Sequence, residues 1–184
     1  SFTSANLNSA NGVALDLTNQ VAYVASSVAD SITSIDISNP SNLVELDSFS
    51  SASLNTARGI ALDLTNQVAY VASASFGNSI TSIDISNPNS LAELDSLSNA
   101  NLGGALGVAL DLTNQVAYVV SELVDSITSI DISNPSALSE LDSFTSGSLD
   151  GAAYVALDLT NQVAYVTSGS ADSITSIDIS NPSA

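Results

Sequence analysis

The chain has no cysteine, histidine, lysine, methionine or tryptophan, and its one cation is Arg58. Without cysteine there is no disulfide. Without cysteine and histidine there is no zinc or haem ligation of the usual kind, and no thiol or imidazole catalysis. The missing lysine excludes Schiff-base chemistry. Binding to a phosphate backbone replaces many counterions with Lys and Arg, so one arginine against 19 acidic residues excludes a nucleic-acid partner. No apolar run approaches the ~20 residues of a membrane span, and no cationic, apolar leader precedes the first repeat. Neither a membrane span nor a cofactor is expected.

What is present is a 184-residue chain, 45% hydrophobic, with a net charge of −18. That is enough for one domain, residues 1–184, with a real core. Internal repetition dominates it. ALDLTNQVAYV occurs four times unchanged, from Ala14, Ala61, Ala109 and Ala156, at spacings of 47, 48 and 47. SITSIDISNP also occurs four times, from Ser31, Ser79, Ser126 and Ser173. The repeats run approximately over 12–58, 59–106, 107–153, and 154–184 together with 1–11.

Each repeat reads as β throughout. VALDL (Val13 to Leu17) alternates, TNQ turns, and VAYVA (Val21 to Ala25) is apolar on both faces. SITSIDI (Ser31 to Ile37) is β-branched, Pro40 and its neighbours punctuate, and LVELDSF (Leu43 to Phe49) alternates again. A strand apolar on both faces belongs in a sheet packed on both sides. Four-stranded units of ~40–50 residues packed face to face around an axis are propeller blades. The expectation is an all-β β-propeller with four blades of four antiparallel strands, about sixteen strands in all.

The frame AYVAS…SITSIDISNPSNLVELDSF resembles the bacterial LVIVD-type repeat and its YVTN-type relatives over essentially the whole chain. That resemblance implies a β-propeller of a secreted or surface protein, hence an extracellular or cell-surface location. Such families usually have more than four blades. The alternative is therefore half of an eight-bladed ring, completed by a second copy. The opening SFTSANLNSANG aligns with SFTSGSLDGAAY, Ser143 to Tyr154, so the first eleven residues are expected to complete the last blade by strand exchange. Gly12, Gly59 and Gly107 suit backbones crowded about a narrow axis.

Asp16, Asp63, Asp111 and Asp158 recur at one place. Four carboxylates about an axis would suit Ca²⁺, but each is expected to accept hydrogen bonds from its own DLTNQ turn instead. Asp36, Asp84, Asp131 and Asp178 are read the same way, so no metal site is expected. Glu45 with Asp47, Glu93 with Asp95, and Glu140 with Asp142 are paired carboxylates on the outer strand. Glycoside hydrolysis would need them in a cleft with one pKa raised; an outer strand instead uses charge to discourage stray pairing. No enzyme is expected. Tyr23, Tyr70, Tyr118 and Tyr165 read as core, as do Phe2, Phe49, Leu97 and Phe144.

Variation is confined to the loop between second and third strands and to the connection between blades. Both leave the same face of the ring. If that face binds a glycan or protein ligand, Arg58, Phe76, Asn78, Glu122, Asp125 and Asp172 are the candidate contacts. The competing and preferred expectation is a structural unit that associates with neighbouring copies of itself, as a building block of an array or filament.

Overall fold

The computed structural model describes residues 1–74 and 78–183. It is an all-β, four-blade β-propeller. Blade 1 holds β1 (Ala10–Asp16), β2 (Val21–Ser26), β3 (Ser31–Asp36) and β4 (Val44–Ser50); blade 2 holds β5 (Ala57–Asp63), β6 (Val68–Ser73), β7 (Ser79–Asp84) and β8 (Ala92–Ser98). Blade 3 holds β9 (Ala105–Asp111), β10 (Val116–Ser121), β11 (Ser126–Asp131) and β12 (Ser139–Thr145); blade 4 holds β13 (Ala152–Asp158), β14 (Val163–Ser168) and β15 (Ser173–Asp178). Within each sheet the strands are neighbours in chain order, and the pairings are antiparallel.

The invariant turns explain the regularity. Asp16 Oδ1 accepts from the amides of Thr18 and Asn19, both at 3.0 Å, and Oδ2 accepts from Asn19 Nδ2 at 2.7 Å. The same three bonds recur at Asp63 and Asp111. The turn closes with Gln20 in the left-handed region, φ 56°, and Gln67, Gln115 and Gln162 repeat that angle. At the other invariant turn Asp36 accepts from the Ser38 amide at 2.7 Å. Hydrogen bonds from the Ser38 side chain and amide hold the Asp36 carboxyl below the usual carboxylate range.

Three apolar seams join the blades, and each is built alike. Val21, Tyr23, Ala25 and Ile32 of blade 1 meet Leu54, Ala57, Ala69, Val71 and Ile83 of blade 2. Val68, Tyr70, Ala72 and Ile80 repeat this against blade 3, and Val116, Tyr118, Val120 and Ile127 against blade 4. Every blade thus has a tyrosine face toward its successor and a valine face toward its predecessor. Polar bonds lock the seams. Ser34, Ser82 and Ser129 donate to the carbonyls of Pro88, Pro135 and Pro182 in the next blade, each at 2.6 Å.

The ring is open between blades 4 and 1. β1 packs on β5, β5 on β9 and β9 on β13, but among the described residues β13 makes no comparable contact with β1. Strand exchange by residues 1–11 does not occur either, and the last sheet has three strands. Ser1–Thr3 aligns with the end of β12, but the open ring leaves blade 1 away from β15. The residues that follow form a 3₁₀ turn, Ala5–Leu7, which belongs to blade 1: the Asn6 carbonyl accepts from Ser31 Oγ at 3.0 Å.

Openness also corrects the core. Tyr23, Tyr70 and Tyr118 are buried as expected, whereas Tyr165 is 41% exposed because no blade covers its face. Burial, with a smaller contribution from Asp16, Asp63 and Asp111, pushes the phenols of Tyr23, Tyr70 and Tyr118 up to about 12, from an ordinary 10.0. In the unfolded chain these groups lose their protons first. Stability is therefore complete below pH 10 and falls as pH rises from 10 toward 12. Alkaline titration followed by circular dichroism should show unfolding in that window, coincident with tyrosinate absorbance. Ionisation of all five tyrosines with the fold retained would contradict the buried placement.

Candidate functional site

The first strand of each blade lines a groove along the axis, formed by residues 11–13, 58–60, 106–108 and 153–155, with a volume of about 330 Å³. Glycine lets these strands approach. A Cβ on Gly12 would lie 2.2 Å from the Arg58 carbonyl oxygen, one on Gly59 2.3 Å from that of Leu106, and one on Gly107 2.8 Å from that of Ala153. The fourth equivalent is Tyr154, whose side chain stands 75% exposed on the uncovered face of β13. Aligning the VALDL frames places Tyr154 opposite the three glycines.

Arg58 sits in this groove. Its Nη1 donates to Asn11 Oδ1 at 3.1 Å, and its buried Nε has no hydrogen-bond partner. Apart from Arg58 and Tyr154 the lining residues are apolar side chains, glycines and Asn11. Such a groove can bind through one guanidinium and backbone amides. It holds no nucleophile paired with a base.

The other predicted contacts fall on the rim between blades. Asn78, Asp125 and Asp172 occupy one repeated place with Asp30, at the end of the second turn, with φ between 38° and 52°. Their inner members are used structurally: Asp30 accepts from the Thr56 amide at 2.8 Å, and Asn78 from the Gly104 amide at 3.1 Å. The Asp125 carbonyl accepts from the Ser146 amide. The Glu122 amide donates to the Gly104 carbonyl while its side chain is exposed. Asp172 is exposed on the last blade, and Phe76 lies outside the described residues. The structure joins these positions to the connections between blades and does not gather them with Arg58 into one pocket.

The paired carboxylates also have structural work. Glu93 accepts from Ser51 Oγ at 2.6 Å and Ser53 Oγ at 3.2 Å; Glu140 accepts from the Asn99 and Asn101 amide groups at 2.6 and 2.7 Å. Asp47 and Asp95 accept from the amides of Leu91 and Leu138 in the following blade, each at 2.7 Å. They tie blades together rather than merely blunting an edge. Among the described residues no group of three or more carboxylates is placed to hold a metal ion. A second cleft, about 370 Å³, lies between blades 3 and 4 beside Phe144, Ile177 and Pro182, along the strand that has no outer partner.

The LVIVD repeat pattern matches residues 17–51, 63–98 and 117–146. No curated protein matches the sequence. Among solved structures, a functionally unknown protein from Desulfotomaculum acetoxidans shares 22% identity at a TM-score of 0.78, over 94% of this chain and 55% of its own. Hydrazine synthase from Kuenenia stuttgartiensis shares 14% identity at 0.78, over 99% and 49%. A Lactobacillus plantarum protein shares 18% at 0.72, over 92% and 56%. The chain thus spans about half the length of the structures it resembles.

Proposed function

Because the chain belongs to the LVIVD repeat family, we propose that it is a non-enzymatic structural propeller unit of an extracellular or surface repeat protein. One observation carries the reading: the repeated carboxylates are occupied in holding the fold. The Asp of each invariant turn, Asp47, Asp95 and the three Glu all accept hydrogen bonds inside a blade or from its neighbour. A family of repeats whose polar groups serve the seams suits load-bearing and assembly better than turnover. The −18 charge keeps such a unit soluble and resists indiscriminate contact.

The second reading, a ligand-binding module, draws on Arg58 in the axial groove, whose Nε lacks a partner. Glycan and protein arrays separate the two. The structural reading expects no saturable binding on either array, with discrete assembled particles in electron micrographs. Saturable binding that Arg58→Gln reduces at least tenfold would replace it with the binding reading.

A further inference from the structure

We infer that the axial groove binds a small organic monocarboxylate, its acid group held by Arg58 and its apolar body by the first strands of blades 3 and 4. The inference goes beyond the structural-unit reading and does not need it. The first strand of every blade carries a β-bulge. The ladder register skips Asn11 in β1, Leu106 in β9 and Ala153 in β13. In β5 it shifts between Ala57 and Ile60, where Arg58 holds the equivalent place. A bulge frees one residue from the ladder and re-aims its side chain. All four of these residues line the groove. β1, β5, β9 and β13 follow one another about the axis, so the bulges set Asn11 and Arg58 at one end and Leu106 and Ala153 at the other. Val108 and Val155 extend the apolar end.

Charge singles out an acid. The chain has 19 acidic residues, yet none of them lines the groove that holds its one cation. Among the described residues the Arg58 side chain makes one bond, from Nη1 to Asn11 Oδ1 at 3.1 Å, and Nε is buried without a partner. With Nη1 committed, the Nε–Nη2 edge remains. Its two parallel N–H groups match the two oxygens of a carboxylate. An unmet buried donor on a charged group is costly, so the side chain gains by turning that edge toward an acceptor.

The rest of the groove sets the kind of acid. A phosphate dianion would meet the guanidinium too, but the −18 charge of the chain opposes a second negative charge. Nor has phosphate an apolar body for Leu106 and Val155 to cover. The volume of about 330 Å³ is at the small end for ligand sites, which span roughly 300–1,000 Å³, and suits a single ring. An aromatic or alicyclic monocarboxylate fulfils all three conditions.

Titration of the full chain, isotope-labelled for amide nuclear magnetic resonance, tests this with benzoate as the probe. Benzoate should shift amides of residues 11–13, 58–60 and 106–108 saturably, with a dissociation constant of about 1 mM or tighter. Benzamide, acetate and inorganic phosphate should each bind about tenfold more weakly or worse, since each lacks the charge, the body or both the shape and the body. Arg58→Gln should abolish the benzoate shifts, and Arg58→Lys should weaken them about tenfold, because a point charge lacks the planar fork. Circular dichroism confirms that the variants fold; the comparison of ligands on the parent chain holds even where one does not. Absence of saturable benzoate shifts, shifts centred outside the groove, or benzamide, acetate or phosphate binding as tightly as benzoate would overturn the site. So would benzoate binding that survives Arg58→Gln. The arrays test a glycan or protein ligand, so their outcome decides the structural-unit reading separately from this one.

Discussion

Replacing Tyr70 with alanine is expected to cost about 3–5 kcal/mol, the range for large aromatic core truncations, whereas Tyr165→Ala should cost less than ~1.5 kcal/mol. The two residues occupy the same place in the same repeated string, so local sequence cannot distinguish them. Tyr70 is fully buried in the seam with blade 3, among Leu102, Ala105 and Ala117. Its loss opens a cavity between two sheets whose backbones are fixed by their own ladders and cannot collapse to fill it. Tyr165 faces no blade, so truncation there removes little buried area. Urea unfolding at concentrations where the chain is monomeric measures both. Equal losses at the two sites would mean that the last blade is covered within one chain.

Gly59→Ala is expected to cost about 3 kcal/mol or more, through overpacking rather than conformational strain. Its Cβ would stand 2.3 Å from the Leu106 carbonyl oxygen and 3.2 Å from Gly107 Cα, both backbone atoms of the neighbouring blade. A flexible side chain could swing aside; a strand held on its other edge by β10 cannot. Relief requires parting blades 2 and 3, which breaks the Tyr70 seam. Gly147→Ala is the control, because nothing lies within 4 Å of its Cβ position. A Gly59→Ala protein as stable as Gly147→Ala would show that the inner strands are not so close.

Much of the fold was legible because the strand signal is local. VAYV alternates with nothing, SITSID is β-branched, and each Asp lies two residues before the amide it caps, so strands and turns follow from the string itself. Closure was not legible. Whether blade 4 reaches blade 1 depends on the rotation accumulated over three seams, and no residue type reports that angle. The same blindness placed Tyr165 in the core and assigned residues 1–11 to the last blade. The outer carboxylates were read by residue type as edge protection, because their donors, such as Ser51 and Leu91, lie more than 40 residues away. At the candidate site the sequence marked Arg58 by rarity. It overlooked Tyr154, which is informative only against the glycines it replaces.

The open end of the propeller is the centre of the account, and strand-resolved amide hydrogen exchange on the dilute monomer reaches it most directly. β3, β7 and β11 each have a ladder partner on both sides, whereas β15 has β14 alone. Amides of β7 and β11 should exchange only with global unfolding. Alternate amides between Ser173 and Asp178, which face the uncovered edge, should exchange orders of magnitude faster. Protection of β15 equal to that of β7 in the monomer would contradict the open ring.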